Sequence, residues 1–327
     1  MKKKIALVTG GYSGESVISY KSAACVAEQL DIQKWDYHVI DIRTDGWFYK
    51  DETGKECSVD KNDFSIFFEG DKICFDAALI ILHGTPGEDG KLQGYFDCIG
   101  LPYTSCDATT SAITFNKRYT VALASAAGIP VARSIQLFKE DKFSVDNILS
   151  QLTLPLFVKP NNGGSSLGIS KVKTETELLP AIEKAFKEDT QILVEEFIAG
   201  REFTIGVFKN KTEIIALPIT EIVTSNEFFD YEAKYLGASQ EITPAQVDEM
   251  VAKKIRDTAV KAYRSFHCNG VIRIDFIYHE QSGQPYLLEI NTVPGQSEAS
   301  IVPQQVRAMG WTLTRFYSEL LENCFTN

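Results

Sequence analysis

Two short runs near the C-terminal end, "VIRIDFIYH" and "YLLEIN", restrict the possible folds more than any other part of the chain. In the first, Ile272, Ile274, Phe276 and Tyr278 alternate with Arg273 and Asp275; in the second, Leu288 and Ile290 alternate with Glu289 and Asn291. A period of two is that of a β-strand, whose successive side chains point to opposite faces. With a turn near "EQSGQP", the two runs form a hairpin with one apolar face and one face rich in hard oxygen donors. Asp275, Glu289 and Asn291 then suit Mg²⁺ held together with phosphate oxygens, with Arg273 alongside. A solvated sheet face carrying an Arg–Asp pair fits the same pattern.

Elsewhere short β-rich runs alternate with helical patterns, the signature of an α/β protein. Up to about residue 112, "KIALVTGG", "YHVIDI" and "DAALIILHG" read as parallel strands joined by helical or irregular crossovers, a doubly wound unit. Residues 113–196 hold a helix around "KRYTVALASAAG", the strands "SIQLF", "PLFVKP" and "QILVEEFI", and a glycine-rich loop. Residues 197–327 hold long strands, the polar segment "TSNEFFDYEAKYLGAS", the hairpin and a C-terminal helix. Between them lies a helix expected to place Val247, Met250, Val251, Ile255, Ala259, Ala262 and Phe266 on one face.

The loop is "VKPNNGGSSLGIS". Gly163, Gly164 and Gly168 permit close backbone approach, and Ser165 and Ser166 add hydroxyl donors beside Lys159, a combination suited to a triphosphate. It is not a P-loop, because the lysine precedes the glycines on a strand instead of following them on a helix. A flexible connector is the plain alternative. The other glycine turn, "VTGGYSG", lacks the spacing of a dinucleotide-binding motif, and a tight structural turn accounts for it equally well. Glu15, just after it, is an acid at a helix start, where the macrodipole favours it.

The net charge of −11 and pI near 5.0 argue against nucleic acid or an anionic membrane as partner, which leaves a small molecule. The basic start lacks the apolar run of a signal peptide, and nothing reads as a membrane anchor. Seven cysteines without C-x-x-C spacing read as buried reduced thiols, hence a cytoplasmic protein.

In chain order, "GGYSGE", "HGTPGEDGKLQG", "LPYT", "NK", "VKPNNGGSSLG", "EEFIAGREFT", "DYEAKY", "RIDF", "LLEINTVPG" and "SIVP" carry a resemblance that spans nearly the whole sequence. The chain resembles the ATP-grasp ligases, and among them the branch that joins D-alanine to D-alanine for peptidoglycan synthesis. The resemblance implies an ATP-grasp fold behind the N-terminal doubly wound domain, ATP as substrate, two Mg²⁺ (or Mn²⁺) ions on Asp275, Glu289 and Asn291, and a homodimer. It places Lys117 and Lys159 on the phosphates under the Ser165–Ser166 loop, Glu195, Glu196 and Ile198 at adenine, and Glu202 at ribose. Glu15 would hold the first ammonium, with His83 nearby. Arg273 and the N–H of Gly295 would stabilise an oxyanion, and Lys234 and Ser300 would receive the second carboxylate.

Ser165 and Tyr235 would join Glu15 in one hydrogen-bonded set. Ser300 also reads as the cap of a helix beginning at "SIVPQQV", where free N–H groups attract anions. Two stretches depart from the common pattern: "SVIS" after Glu15, where many relatives carry a second acid, and "GQSEAS" before Ile301. Two other functions stay open: a ligase that uses D-lactate or D-serine as acceptor, with Tyr235 as the discriminating position, and a nucleotide-sensing protein without turnover.

Overall fold

The computed structural model describes residues 2–51, 53–163, 168–224 and 239–325. Among these the strands form three sheets. The first runs in the order Asp71–Ile73, Ser65–Phe68, Glu56–Asp60, Gly46–Lys50, Trp35–Arg43, Lys3–Gly10, Ala77–Ile80. Lys3–Gly10 pairs in parallel with Trp35–Arg43 and with Ala77–Ile80. Its alternate residues feed two cores. Ile5 and Leu7 pack under the helix Ser16–Gln29 and the C-terminal helix Leu313–Cys324. Ala6 and Val8 pack under the helix Lys91–Ile99 through Leu92 and Phe96. Helices on both faces explain why this strand is apolar without alternation.

Residues 46–73 correct the expected crossover. They are neither helical nor irregular but an antiparallel meander that extends the sheet. Trp47, Tyr49, Val59 and Ile66 give these strands one buried or half-buried face, a pattern masked in the sequence by the charged turns between them. The seven cysteines carry no disulfide, but only Cys106, Cys268 and Cys324 are buried, whereas Cys74 and Cys98 are exposed.

The second sheet is antiparallel, in the order Ser170–Val172, Leu156–Pro160, Gln191–Glu196, Ser134–Phe138. The helix Glu175–Ala185 lays Leu178, Ala181 and Ile182 on it. That helix starts with a capping box between Thr174 and Glu177, which satisfies two otherwise orphaned donors.

The third sheet runs Ser239–Ile242, Thr220–Thr224, Arg201–Lys209, Val271–His279, Gln284–Asn291, with Ile214–Ala216 also paired to Arg201–Lys209. Beneath it the helix Glu249–Ser265 buries Ala252, Ile255, Ala259, Ala262 and Tyr263. Met250, expected on that face, is 81% exposed, because nine residues of helix, about two and a half turns, put it on the side opposite the buried Ala259, while Val247 and Val251 beside it do pack on the core. A fully buried side chain of the size of Ile255 contributes about 1.5–3 kcal/mol and each alanine methyl about 0.8 kcal/mol, so the hairpin that carries the chemistry sits on a firm base.

Candidate active site

The hairpin is antiparallel, with Arg273 opposite Asn291 and Asp275 opposite Glu289. Its register shifts between Asp275 and Phe276, where Phe276 pairs with Leu287. This bulge inserts one extra residue in the second strand, so Leu287 takes the core position and Leu288, expected there, is only half-buried. Glu289 and Asn291 stay on the polar face. The strand Arg201–Lys209 continues that face, with Thr204 opposite Asp275 and Glu202 two residues along.

Arg273 grips Asp275 with both arms, Nε to Oδ1 and Nη2 to Oδ2, each at 2.9 Å. Its Nη2 lies 3.6 Å from Glu289 Oε1, and the Thr204 hydroxyl donates to Asp275 Oδ1. Burial works against the guanidinium charge, but Asp275, Glu289 and Glu88 outweigh it and raise the Arg273 pKa. A cation fixed this firmly in a partly closed cleft is a preorganised site for negative charge.

The first sheet supplies the facing wall. A Cβ on Gly10 would lie 2.5 Å from both Asp41 Oδ1 and the Ile42 carbonyl, and the residue has φ of +91°. Its lack of a side chain is thus explained by strand packing, without any dinucleotide. Glu15 occupies the N-cap position of the helix Ser16–Gln29, and its side chain makes no capping hydrogen bond. It sits 3.5 Å from the Ser13 hydroxyl. His83 is buried, its Nε2 3.2 Å from the Ser22 hydroxyl. Burial holds its pKa down to about 4, against a hydrogen bond to the Val293 backbone. It is therefore a neutral tie between the first sheet and the loop after the hairpin.

Glu88, in the motif "HGTPGEDG", is not among the residues that the sequence assigns to the site, and the structure puts it in the cleft wall. Its Oε2 accepts the Gly84 N–H at 2.7 Å. Burial first, and then the charge of Glu15, push its pKa up to about 8. An acid inside a glycine-rich turn directly after a buried strand was the available signal.

On the side of the second sheet, Lys117 Nζ donates to the Gly163 carbonyl at 2.8 Å. Lys159 Nζ lies 2.6 Å from Glu195 Oε1, and both residues are buried. Glu196, the next residue on the strand, faces the other way: its Oε1 accepts the Thr153 N–H at 2.9 Å and lies 3.5 Å from Arg133. Glu195 and Glu196 therefore cannot present their side chains to one ligand together. Ile198 follows the strand and is half-buried.

Gly295 closes the far end. A Cβ there would lie 2.8 Å from Ser300 Oγ. Ser300 is at the N-cap position of the helix Ile301–Ala308, as its sequence predicts, but its side chain caps nothing; its hydroxyl pairs with that of Ser297 at 2.7 Å. The first N–H groups of the helix are left without that cap.

One cavity of about 370 Å³ gathers Glu15, His83, Lys117, Glu202, Arg273, Asp275, Glu289, Asn291, Gly295 and Ser300, a volume in the range of small-molecule sites. Lys159, Glu195, Glu196 and Ile198 are not among the described residues that line it. Ser165, Ser166, Lys234 and Tyr235 lie outside the described residues.

Comparison with known proteins agrees over almost the full length. Residues 4–106 match the family model for the D-ala D-ala ligase N-terminus, and residues 123–322 match that for the D-ala D-ala ligase C-terminus. The chain belongs to the D-alanine–D-alanine ligase family. It is 47% identical over 320 residues to the D-alanine–D-alanine ligase of Flavobacterium johnsoniae, covering 98% of each chain. The structure of the VanG D-Ala:D-Ser ligase of Enterococcus faecalis superposes with a TM-score of 0.90 at 33% identity, covering 99% of this chain and 100% of that one. The D-alanine–D-alanine ligase of Bacillus anthracis, solved in complex with ATP, gives a TM-score of 0.79 at 27% identity, with 99% and 97% coverage.

For a family member, the polar face of the hairpin has the donor chemistry of a Mg²⁺ or Mn²⁺ site: two carboxylates and an amide oxygen in register on adjacent strands. Among the described residues no three His, Cys, Asp or Glu side chains are placed so that they could hold a metal ion by themselves, and the candidate is this mixed acid–amide set. No helix among the described residues is long and apolar enough to cross a membrane.

Proposed function

We propose that this family member joins two D-alanine molecules at the expense of ATP, giving D-alanyl-D-alanine for peptidoglycan synthesis, ADP and phosphate. The observation that carries the reading is the single cleft that holds Arg273 with Asp275 and Glu289 on one wall, Glu15 on another, and Gly295 with Ser300 at its end. The carboxylate of the first D-alanine attacks the γ-phosphate of ATP to give an acylphosphate, and the amine of the second displaces phosphate from it.

Glu15 holds the first ammonium and His83 supports the wall beside it. Lys117 and Lys159 meet the phosphates, Lys159 by turning from Glu195, and Ser165 and Ser166 belong to the loop that covers them. Glu195, the backbone around Glu196, and Ile198 take adenine, and Glu202 takes ribose. Arg273 and the Gly295 N–H hold the oxyanion of the tetrahedral intermediate, which forms where fixed donors already point. The start of the helix Ile301–Ala308, with Ser300 and Lys234, receives the second carboxylate. Ser165, Tyr235 and Glu15 connect the covering segments to the first wall. Asp275, Glu289 and Asn291 would hold two Mg²⁺ or Mn²⁺ ions, which would supply charge neutralisation for phosphoryl transfer.

The same reading divides the chain into an N-terminal substrate domain over residues 1–112, a central ATP-grasp subdomain over 113–196 and a C-terminal one over 197–327. It makes the protein a cytoplasmic homodimer. The likeness to a D-Ala:D-Ser ligase supports a second reading, in which the acceptor is D-serine. Phosphate release from ATP and Mg²⁺ across a panel of D- and L-amino acids and D-lactate, with the products identified, separates the two. Release that ignores D-alanine would reject both.

A further inference from the structure

The second step needs a base, because an α-ammonium with a pKa of about 8 or above is mostly protonated at neutral pH and cannot attack. Six carboxyl side chains among the described residues line the cleft: Glu15, Glu88, Glu202, Glu241, Asp275 and Glu289. On the ligase reading, Glu15 is committed to the first ammonium and Glu202 to ribose. Asp275 and Glu289 face Arg273, and Glu88 already holds a proton near neutrality. Glu241 has no such commitment.

Its placement follows from the register of the third sheet. Glu241 lies opposite Ile222, which lies opposite Glu202, so all three side chains project on the face that carries Thr204, Asp275 and Glu289. Glu241 is at the edge of that face, where it meets the helix Ile301–Ala308. There Gln304 Nε2 donates both to Glu241 Oε2 and to the Ala299 carbonyl, each at 2.9 Å. One side-chain amide therefore locks the carboxyl to the residue directly before Ser300. Among the described residues nothing is hydrogen-bonded to Oε1 of Glu241. The groups set around it are the neutral Gln304, the apolar Ile222, Glu202 one strand further, and Arg273, whose charge reaches it.

We propose that Glu241 is the proton acceptor on the acceptor side of the cleft, taking the proton that the ammonium of the second amino acid must lose before it attacks. The inference rests on the ligase reading above. The ammonium gives one proton to Glu241; the amine adds to the acylphosphate carbonyl carbon, forming the C–N bond and the tetrahedral oxyanion; that intermediate then collapses, the C–O bond to phosphate breaks, and the second N–H proton leaves with the phosphate as hydrogen phosphate. Burial raises the pKa of Glu241 against the pull of Gln304 and Arg273, which brings it nearer to the working range of a base.

The test uses Glu241→Gln, which keeps the shape and a hydrogen-bonding oxygen for Gln304. Wild type and variant are given ATP, Mg²⁺ and D-alanine with or without hydroxylamine, a nucleophile that is uncharged at neutral pH and needs no base. The variant is expected to form D-alanine hydroxamate as the wild type does, while its dipeptide synthesis falls on the order of 100-fold. That deficit shrinks as rising pH deprotonates the acceptor in solution. Equal losses in both products, a dipeptide deficit constant with pH, or a rise in the acceptor KM alone would overturn the proposal. Wild type that releases no phosphate in response to D-alanine would overturn the ligase reading and this proposal with it.

Discussion

Lys159 and Glu195 form a buried ion pair, Nζ to Oε1 at 2.6 Å, on neighbouring strands of the second sheet. The pairing satisfies a lysine that would otherwise hold an uncompensated charge inside the protein. Removing one partner of a buried pair costs roughly 3–5 kcal/mol, because the other charge is left alone. Glu195→Gln is therefore expected to lower stability by about that much in denaturant unfolding. A double Lys159→Met/Glu195→Gln variant should be more stable than Glu195→Gln alone. Additive losses would show that the two side chains do not depend on each other.

Glu88 gives a pH-dependent prediction. Its folded pKa of about 8 stands above the ordinary 4.5, so between those values the folded chain keeps a proton that the unfolded chain has released. Its contribution is present below about 4.5 and is lost as pH rises towards 8. Glu88→Gln removes this loss. Thermal unfolding without nucleotide or Mg²⁺ should show the variant gaining on wild type from pH 5 to pH 8.5, and a pH-independent difference would contradict the buried, protonated carboxyl.

The metal assignment rests on Glu289, whose carboxylate faces Asp275 across the hairpin. Glu289→Gln keeps the strand and removes one charged ligand where phosphoryl charge is transferred. Turnover at saturating Mg²⁺ should fall roughly 100-fold with little change in melting temperature. Undiminished activity would remove Glu289 from the site.

At Gly295 a methyl group would lie 2.8 Å from Ser300 Oγ, so Gly295→Ala must displace the Ser297–Ser300 hydroxyl pair or its own backbone. Either shift misaligns both the oxyanion donor and the acceptor end, and small misplacements cost on the order of 100-fold. The expected result is a lower kcat with a higher KM for the second D-alanine and an unchanged KM for ATP. A raised KM for ATP instead would place this turn on the nucleotide side.

What was legible in the sequence depended on how local the cause was. The alternation in "VIRIDFIYH" located the polar face of the hairpin, because period two follows from strand geometry alone. The bulge after Asp275 did not show, since it depends on how two strands align, and it put Leu287 in the place expected for Leu288. The meander of residues 46–73 was hidden because its strands are short and mostly half-buried or exposed, and Met250 was misplaced because helical spacing, followed strictly, turns it away from Ala252, Ile255 and Ala259. Glu88 and Glu241 acquire their chemistry from Glu15, Arg273 and Gln304, all distant in sequence. Only the glycine-rich turn around Glu88 offered a local hint; the surroundings of Glu241 exist only in the folded chain.

The central claim is that the bond between the amino acids forms through an acylphosphate made from the first D-alanine. Supplying D-alanine labelled with ¹⁸O in its carboxylate tests this most directly, by mass analysis of the released phosphate. The account predicts one labelled oxygen in the phosphate for each D-alanyl-D-alanine formed. Dipeptide accompanied by unlabelled phosphate would contradict it.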